Sequence, residues 1–361
     1  MEIDFRKKLT EEEIIYIKGL DKKQLLALKQ KCAAEIIICD TNQQNRKILI
    51  NSLYGALGNN FFRYFDIRNA SAITLMGQLC LQWMERKVNE YLNKVVGTDK
   101  IEYVFYGDTD SLYINLEGLI NKVGMDKFKD TQHLVDFIDK FAKERLEPAM
   151  NAASEELKDY MNNFENHLAF DREAIWCPPL ETPDGLGAVW KAKKRYAINV
   201  YDMEGVRYHT PHLKIMGLET QQSSTPKAIQ EFLEESIRLM LQEGESKVQE
   251  YFKHVKEEYE KLDYLQIAAV KTANDISKWS DSNGFPISKC PNHVRGVLTF
   301  RRATAGFEGI PNVFDGDKVS VIPLRDGNIF KDKVISWPAN TQLPQEIRND
   351  VLVWLDKAAM F

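Results

Sequence analysis

Two carboxylates one residue apart, Asp108 and Asp110, sit in the run Tyr-Gly-Asp-Thr-Asp-Ser, flanked by β-rich segments on both sides. Side chains on extended backbone alternate between faces, so an i, i+2 pair can project to one side if the chain stays extended. Crowded carboxylates repel one another unless a cation lies between them. Oxygen-only ligation suits Mg2+, which completes its octahedron with water and substrate phosphates. Such centres carry out in-line phosphoryl transfer, one metal activating the attacking oxygen and the other stabilising the leaving group. Turns also favour Asp for reasons of backbone geometry, and a lone Asp-x-Asp is more often that. The apolar strands on both sides and the Tyr106-Gly107 pair weigh toward chemistry.

A second constellation is Lys47-x-x-x-Asn51-Ser52-Leu53-Tyr54-Gly55. At 3.6 residues per turn, Lys47, Asn51 and Tyr54 share one helical face with Gly55 beside them. Lys47 offers a point charge for a triphosphate. Asn51 and Tyr54 can bond or pack against sugar and base, and Gly55 leaves room for a close approach. Taken alone, the motif reads more readily as a solvated lysine beside a core tyrosine.

The elements that must hold these groups read as follows. Thr10-x-x-Glu13 matches a capping box opening a periodic apolar run. A stretch from Leu25 to Ile38 and a further helical segment near Asn42 predict two antiparallel helices over the first sixty residues. Residues 70–95 keep helical spacing. Residues 101–116 form a hairpin turning at Gly107-Asp108-Thr109. Residues 132–163 are helical and acidic. A β-rich section follows, with Ile175–Trp176, Lys194 to Tyr201 and Arg207–Tyr208, turning at Pro183-Asp184-Gly185 and Met203-Glu204-Gly205. It ends near Gly217, before a long charged helical region over 226–263. The remainder mixes short strands and loops.

Apolar residues make up 44% and charged residues 28%, a balance that excludes a disordered chain. At 361 residues, two or three substructures are expected. No long apolar run and no signal-peptide pattern occurs, so a soluble intracellular protein is expected. Five scattered cysteines without a Cys-x-x-Cys pair read as reduced core thiols. Net charge is −5. From Lys191 to Lys227, however, seven basic residues face three acidic ones, a local +4. That segment is either a solvated face or a polyanion contact.

In combination these motifs resemble the B and C motifs of family B DNA polymerases, and most of all the family's T-even-type phage branch. Lys193-Lys194-Arg195-Tyr196 resembles the family's Lys-Lys-x-Tyr motif, and Lys214-Ile-Met-Gly217 its Lys-x-x-Gly segment. Asp171-Arg-Glu173, Thr220-Gln-Gln-Ser-Ser-Thr-Pro226 and His293-Val-Arg-Gly-Val-Leu-Thr299 extend the likeness over essentially the whole chain.

The resemblance implies an α+β fold of right-hand architecture with an incomplete palm sheet. Partial helical fingers would span residues 1–59, the palm 60–217 and a mostly helical thumb 218–361. It implies that Asp108 and Asp110 bind two Mg2+ ions, Asp110 the more directly. Lys47, Asn51, Tyr54 and Gly55 would form the nucleotide pocket, with Asp171 and Glu173 as supporting acids. Lys193, Lys194, Tyr196 and Lys214 would track the primer-terminal duplex, and His293, Arg295, Arg301 and Arg302 would grip its backbone from the thumb. That would give the local +4 a purpose, since phosphate neutralisation supplies most sequence-independent affinity.

Departures from the family pattern matter as much. The third catalytic carboxylate belongs to a segment Asp-x-x-Ser-Leu-Tyr-Pro-Ser, which does not occur here, and there is no exonuclease region. Because the chain opens on Met1, the expectation is a C-terminal subunit of a divided polymerase, active in the cytoplasm of an infected bacterium. Its implied partners are primer–template DNA, dNTP and an N-terminal chain carrying the missing carboxylate and the exonuclease; the two Mg2+ ions would be shared with that chain. A sliding clamp is a further candidate partner, through Met360 and Phe361, although a frayed terminus reads better for so short a tail. Two other readings stand beside this one: a catalytically dead DNA-binding accessory fragment, and a polymerase of another template class. A palm lacking part of its sheet should leave strand edges unpaired and apolar surface exposed.

Overall fold

The computed structural model describes residues 9–359, so Met360 and Phe361 lie outside the described residues. The chain divides into two compact units. One comprises residues up to Trp83 with Thr109–Ser111; the other comprises Met84–Asp108 with the residues from Leu112 onward.

The first unit is helical. Helix α1 (Glu11–Lys18) starts at the expected capping box, in which the Thr10 hydroxyl accepts from the Glu13 N–H and the Glu13 carboxylate accepts from the Thr10 N–H. Helix α2 (Lys22–Leu57) is one continuous helix of 36 residues. The break expected near Asn42 does not occur. Nothing between Lys22 and Tyr54 is Pro or Gly, and the Thr41 hydroxyl donates to the Ile37 carbonyl inside the helix, 2.7 Å away. Remarkably few constraints act on this helix from packing: it has no buried residue, and Ile36, Ile37, Ile38, Ile48, Leu49, Ile50 and Leu53 are all exposed. Helix α3 (Ile67–Val96) contributes its first part to this unit and its last part to the other.

The second unit begins with strands β1 (Val104–Asp108) and β2 (Ser111–Ile114), which pair only with each other among the described residues. Their outer edges carry no further strand among the described residues. Helix α4 (Glu117–Val123) leads to α5 (Thr131–Phe141) and α6 (Glu147–Tyr160). A single π-helical turn, Ala142–Leu146, joins these two, just ahead of Pro148, whose ring cannot continue a regular ladder.

A four-stranded antiparallel sheet follows: β3 (Ala174–Trp176), β4 (Ala188–Ala192), β5 (Arg195–Met203) and β6 (Val206–Met216). β5 pairs with all three others and is buried from Tyr196 to Asp202. β4 is not in the sequence reading, and β6 is longer than expected. As anticipated, the β-rich section ends beside Gly217.

The long charged region is two helices, α7 (Lys227–Gln242) and α8 (Glu245–Lys261), separated at Gly244, whose φ of 91° no helix accepts. Helix α9 (Tyr264–Ile267) precedes β7 (Ala269–Thr272), helix α10 (Asn292–Ala303), β8 (Lys318–Pro323), β9 (Val334–Pro338) and helix α11 (Gln345–Trp354). Strands β7, β8 and β9 make a three-stranded antiparallel sheet over a core containing Phe300, Ile322, Ile335 and Trp337. Among the described residues no helix is long and apolar enough to cross a membrane. All five cysteines are free; Cys80, Cys177 and Cys290 are core thiols as expected, but Cys39 is exposed and Cys32 half-buried, both on α2, which offers no core to enter.

Candidate active site around the acidic hairpin

The hairpin is held at its root by amides of α3. Asn89 Oδ1 accepts from the Tyr103 and Val104 N–H groups at 2.7 and 3.0 Å. Asn93, one turn on, bonds both the N–H and the carbonyl of Ile101. These two asparagines occupy the unpaired backbone groups that lead into β1. No motif signals them in the sequence, since asparagine at i, i+4 is unremarkable without the strand it faces.

Aromatic packing seats the hairpin on the four-stranded sheet. Tyr106 and Tyr113 lie against Tyr196, Trp176 and Trp190, and Phe105 meets Trp190 edge-on with ring centroids 5.3 Å apart. The Tyr113 and Tyr196 hydroxyls are 2.6 Å apart. Burial and the Tyr196 hydroxyl together push the Tyr113 phenol well above its usual range, so it stays protonated and one of the two hydroxyls can donate to the other. Tyr196 of the Lys-Lys-x-Tyr segment is thus a buried packing and bonding partner of the hairpin.

The turn itself falls on Thr109–Asp110, one residue later than expected, and Thr109 is left-handed with φ 56°. The backbone from Asp108 to Asp110 is therefore not extended, and strand alternation does not orient the two carboxylates. Asp108 ends β1, with its side chain 19% exposed, and Asp110 is an exposed turn residue.

Asp108 is ion-paired to the Lys194 ammonium and also accepts from the Tyr106 hydroxyl at 3.3 Å. The carboxylate raises the Lys194 pKa above its ordinary value, so the lysine is a full cation. Lys194 occupies the two-residue turn between β4 and β5 in a left-handed conformation, φ 59°. Its N–H donates to the Tyr106 hydroxyl at 3.0 Å. Gly217 closes the arrangement from the other side: with φ 61°, it has its missing Cβ position 2.1 Å from the Lys194 carbonyl oxygen. Gly217→Ala should therefore cost roughly 1–3 kcal/mol, combining left-handed strain with a backbone clash. Urea unfolding checks this; an unchanged midpoint would show that the turn yields freely.

Other candidates fall into three places. Lys47, Asn51, Tyr54 and Gly55 are on α2 in the first unit, on uninterrupted helix, and all are exposed. Among the described residues, nothing beyond its own chain neighbours and helix backbone lies within 4 Å of the Gly55 Cβ position, so that face is open. Glu173 is paired with Lys214 at 2.8 Å, and Asp171 is exposed. Between them Arg172, which the sequence reading passed over, bridges Asp202 and Asp139 with its side chain only 10% exposed. Arg207 adds a 3.1 Å contact to the same Asp202 carboxylate.

On α10, Arg301 donates to the Val313 carbonyl at 2.5 Å, while Arg295 and Arg302 each lie 3.6 Å from the buried Asp332. Burial, with Lys271 adding to it, holds the His293 imidazole below its usual pKa, so it is neutral at pH 7. The local +4 is also largely spent within the fold. Five of its seven cations, Lys191, Lys194, Arg195, Arg207 and Lys214, are paired with carboxylates, three of which (Asp108, Asp136 and Glu173) lie outside the segment.

No group of three or more His, Cys, Asp or Glu able to hold a metal ion exists among the described residues. Asp108 and Asp110 have the right donor chemistry for Mg2+, hard anionic oxygen, but a protein-held site of this kind needs a further ligand. The hairpin fits as part of a metal site.

Residues 20–141 match the model of the DNA polymerase family B. Over 360 residues, 100% of the chain, the sequence is 55% identical to a DNA-directed DNA polymerase of Enterobacteria phage T4. Over 356 residues, 99% of the chain, it is 53% identical to a DNA-directed DNA polymerase of Escherichia phage RB69. A DNA polymerase beta of African swine fever virus is 26% identical over 209 residues, 55% of the chain. The chain spans 40% and 39% of the length of the two phage relatives. An alignment of this identity, running through the whole chain and through both acidic and lysine motifs, places it with the family B DNA polymerases, over about two-fifths of the length of the phage members.

Proposed function

We propose that this chain is the C-terminal part of a DNA-directed DNA polymerase, adding dNTP to a primer 3′ end under template direction in an infected bacterial cell. The observation that carries the reading is the acidic hairpin within a chain more than half identical, end to end, to phage DNA polymerases. In this reading the partial fingers are residues 1–59, the palm 60–217 and the thumb 218–361, arranged as a right hand. Asp108 and Asp110 hold part of the metal shell, Asp110 being the more available because Lys194 is not on it. Bound Mg2+ supplies activation of the attacking oxygen and charge neutralisation at the leaving pyrophosphate. Lys47 offers its ammonium to the triphosphate, supported by Asn51, with Tyr54 and Gly55 at the base pair. Lys193 and Lys194 face the duplex backbone.

The third carboxylate comes from a second polypeptide, which also carries the exonuclease; the two Mg2+ ions are shared with it. Such a partner accords with the exposed apolar residues of α2 and with β-strand edges open to pairing. The test is primer extension by the chain alone, by the polypeptide encoding Asp-x-x-Ser-Leu-Tyr-Pro-Ser alone, and by the two together. Extension is expected only from the mixture, with the two co-purifying. Extension by this chain alone would overturn the divided-site reading.

A further inference from the structure

The lysine turn is built with more constraint than a surface ion pair requires. Lys194 is held left-handed, its carbonyl against Gly217 and its N–H on the Tyr106 hydroxyl, and each of these contacts acts on backbone. The same tyrosine hydroxyl donates to one oxygen of Asp108 while the Lys194 ammonium takes the other. Asp108 therefore has both carboxylate oxygens engaged, one by the lysine turn and the other by Tyr106 of its own strand. The pair is also asymmetric: the lysine side chain is 65% exposed and the carboxylate 19%. A cation arriving at Asp108 must displace the ammonium, whereas the ammonium can swing into solvent, or onto a polyanion, without disturbing the tyrosine contact.

We propose that Lys194 is an internal counter-cation that occupies Asp108 in place of a divalent metal, with Tyr106 holding the carboxylate in position for the exchange. The inference rests on the reading of Asp108 as a metal-binding oxygen. Lys194 acts through Asp108 and is a positioning residue. Its neighbour Lys193 shares the turn and the exposure, and differs in having no ion pair to the hairpin among the described contacts, so it serves as the internal control for charge alone.

The experiment measures Mn2+ binding to the full chain without DNA, from the loss of the free-ion EPR signal. Lys194→Met and Lys194→Gln should each bind Mn2+ about fivefold more tightly than the unaltered chain, the scale of an exposed ion pair. Lys193→Met and Lys194→Arg should match the unaltered chain, and the gain should vanish when Asp108→Asn is added. Two results would overturn the proposal: no gain from either neutral Lys194 variant, or an equal gain from Lys193→Met, which would make the effect one of net charge. Neither result bears on whether the chain supports DNA synthesis, which the extension assay decides by itself.

Discussion

Asp110→Ala, assayed with the complementing polypeptide, is expected to lower primer extension by at least about a thousandfold while duplex affinity changes by less than about twofold. The asymmetry follows from the turn. Asp110 is exposed and has no ion pair among the described residues, so removing its carboxylate takes only a long 3.4 Å bond from the Ser111 hydroxyl, yet it removes the hairpin oxygen most available to a metal. Duplex contact depends on basic residues elsewhere and should persist. Extension rates and fluorescence anisotropy of a labelled primer–template measure the two halves of the claim. An accessory fragment that binds DNA without contributing to chemistry gives the opposite pattern, with extension of the mixture indifferent to Asp110. Loss of binding in parallel with extension would instead mean that the substitution disturbs the hairpin.

Arg172→Met is expected to be the most damaging single change to stability, about 3–5 kcal/mol. The guanidinium ties Asp139 on α5 to Asp202 on β5, and the Asp202 side chain is 3% exposed. Without it, Arg207 alone faces a carboxylate that has lost its nearest cation. Urea unfolding gives the magnitude, and Arg172→Lys should recover only part of it because an ammonium cannot span both acids in a fixed plane.

The pH dependence has a defined sign. Burial works to raise the Asp139 pKa, but Lys143 and Arg172 outweigh it and the net shift is downward. A depressed carboxylate contributes stability above its unfolded pKa and loses it as pH falls through the folded value. The gap between the unaltered chain and Arg172→Met should therefore narrow in acid below about pH 4. A constant gap down to pH 3 would place the effect in packing rather than charge.

Much of the site was readable in the sequence because its signals are local. Period-two apolar runs around a Gly-Asp turn specify a hairpin, and Thr10 with Glu13 specifies a helix start. What could not be read is long-range or conformational. Whether the turn sits on Asp108 or on Thr109–Asp110 depends on which residue takes the left-handed conformation, and a threonine does so only when its surroundings hold it there. Lys194 lies far along the chain from Asp108, so a basic run read as either a solvated face or a polyanion contact is answered largely by acids of the same fold. Helix α10 falls in the stretch read as short strands and loops, and it contains Gly296. Its missing Cβ position lies 2.1 Å from the Ser336 hydroxyl, so glycine is there to let the helix lie against β9.

Strand β5 is fastened at both ends by different means. At its start, Lys194 and Arg195 are fixed by Gly217, whose carbonyl accepts from Arg195 Nε at 3.1 Å. Near its finish, Asp202 is clasped by two guanidiniums. The strand thereby acts as a gauge of fixed length. Adding or removing one residue would exchange the residues of its two buried faces and put one fastening out of reach of its partner. Related chains should therefore tolerate changes of length in open loops, such as that around Gly306 and Gly309, whose Cβ positions meet no neighbour. The span from Lys194 to Asp202 should keep its count of residues wherever the hairpin keeps its acids.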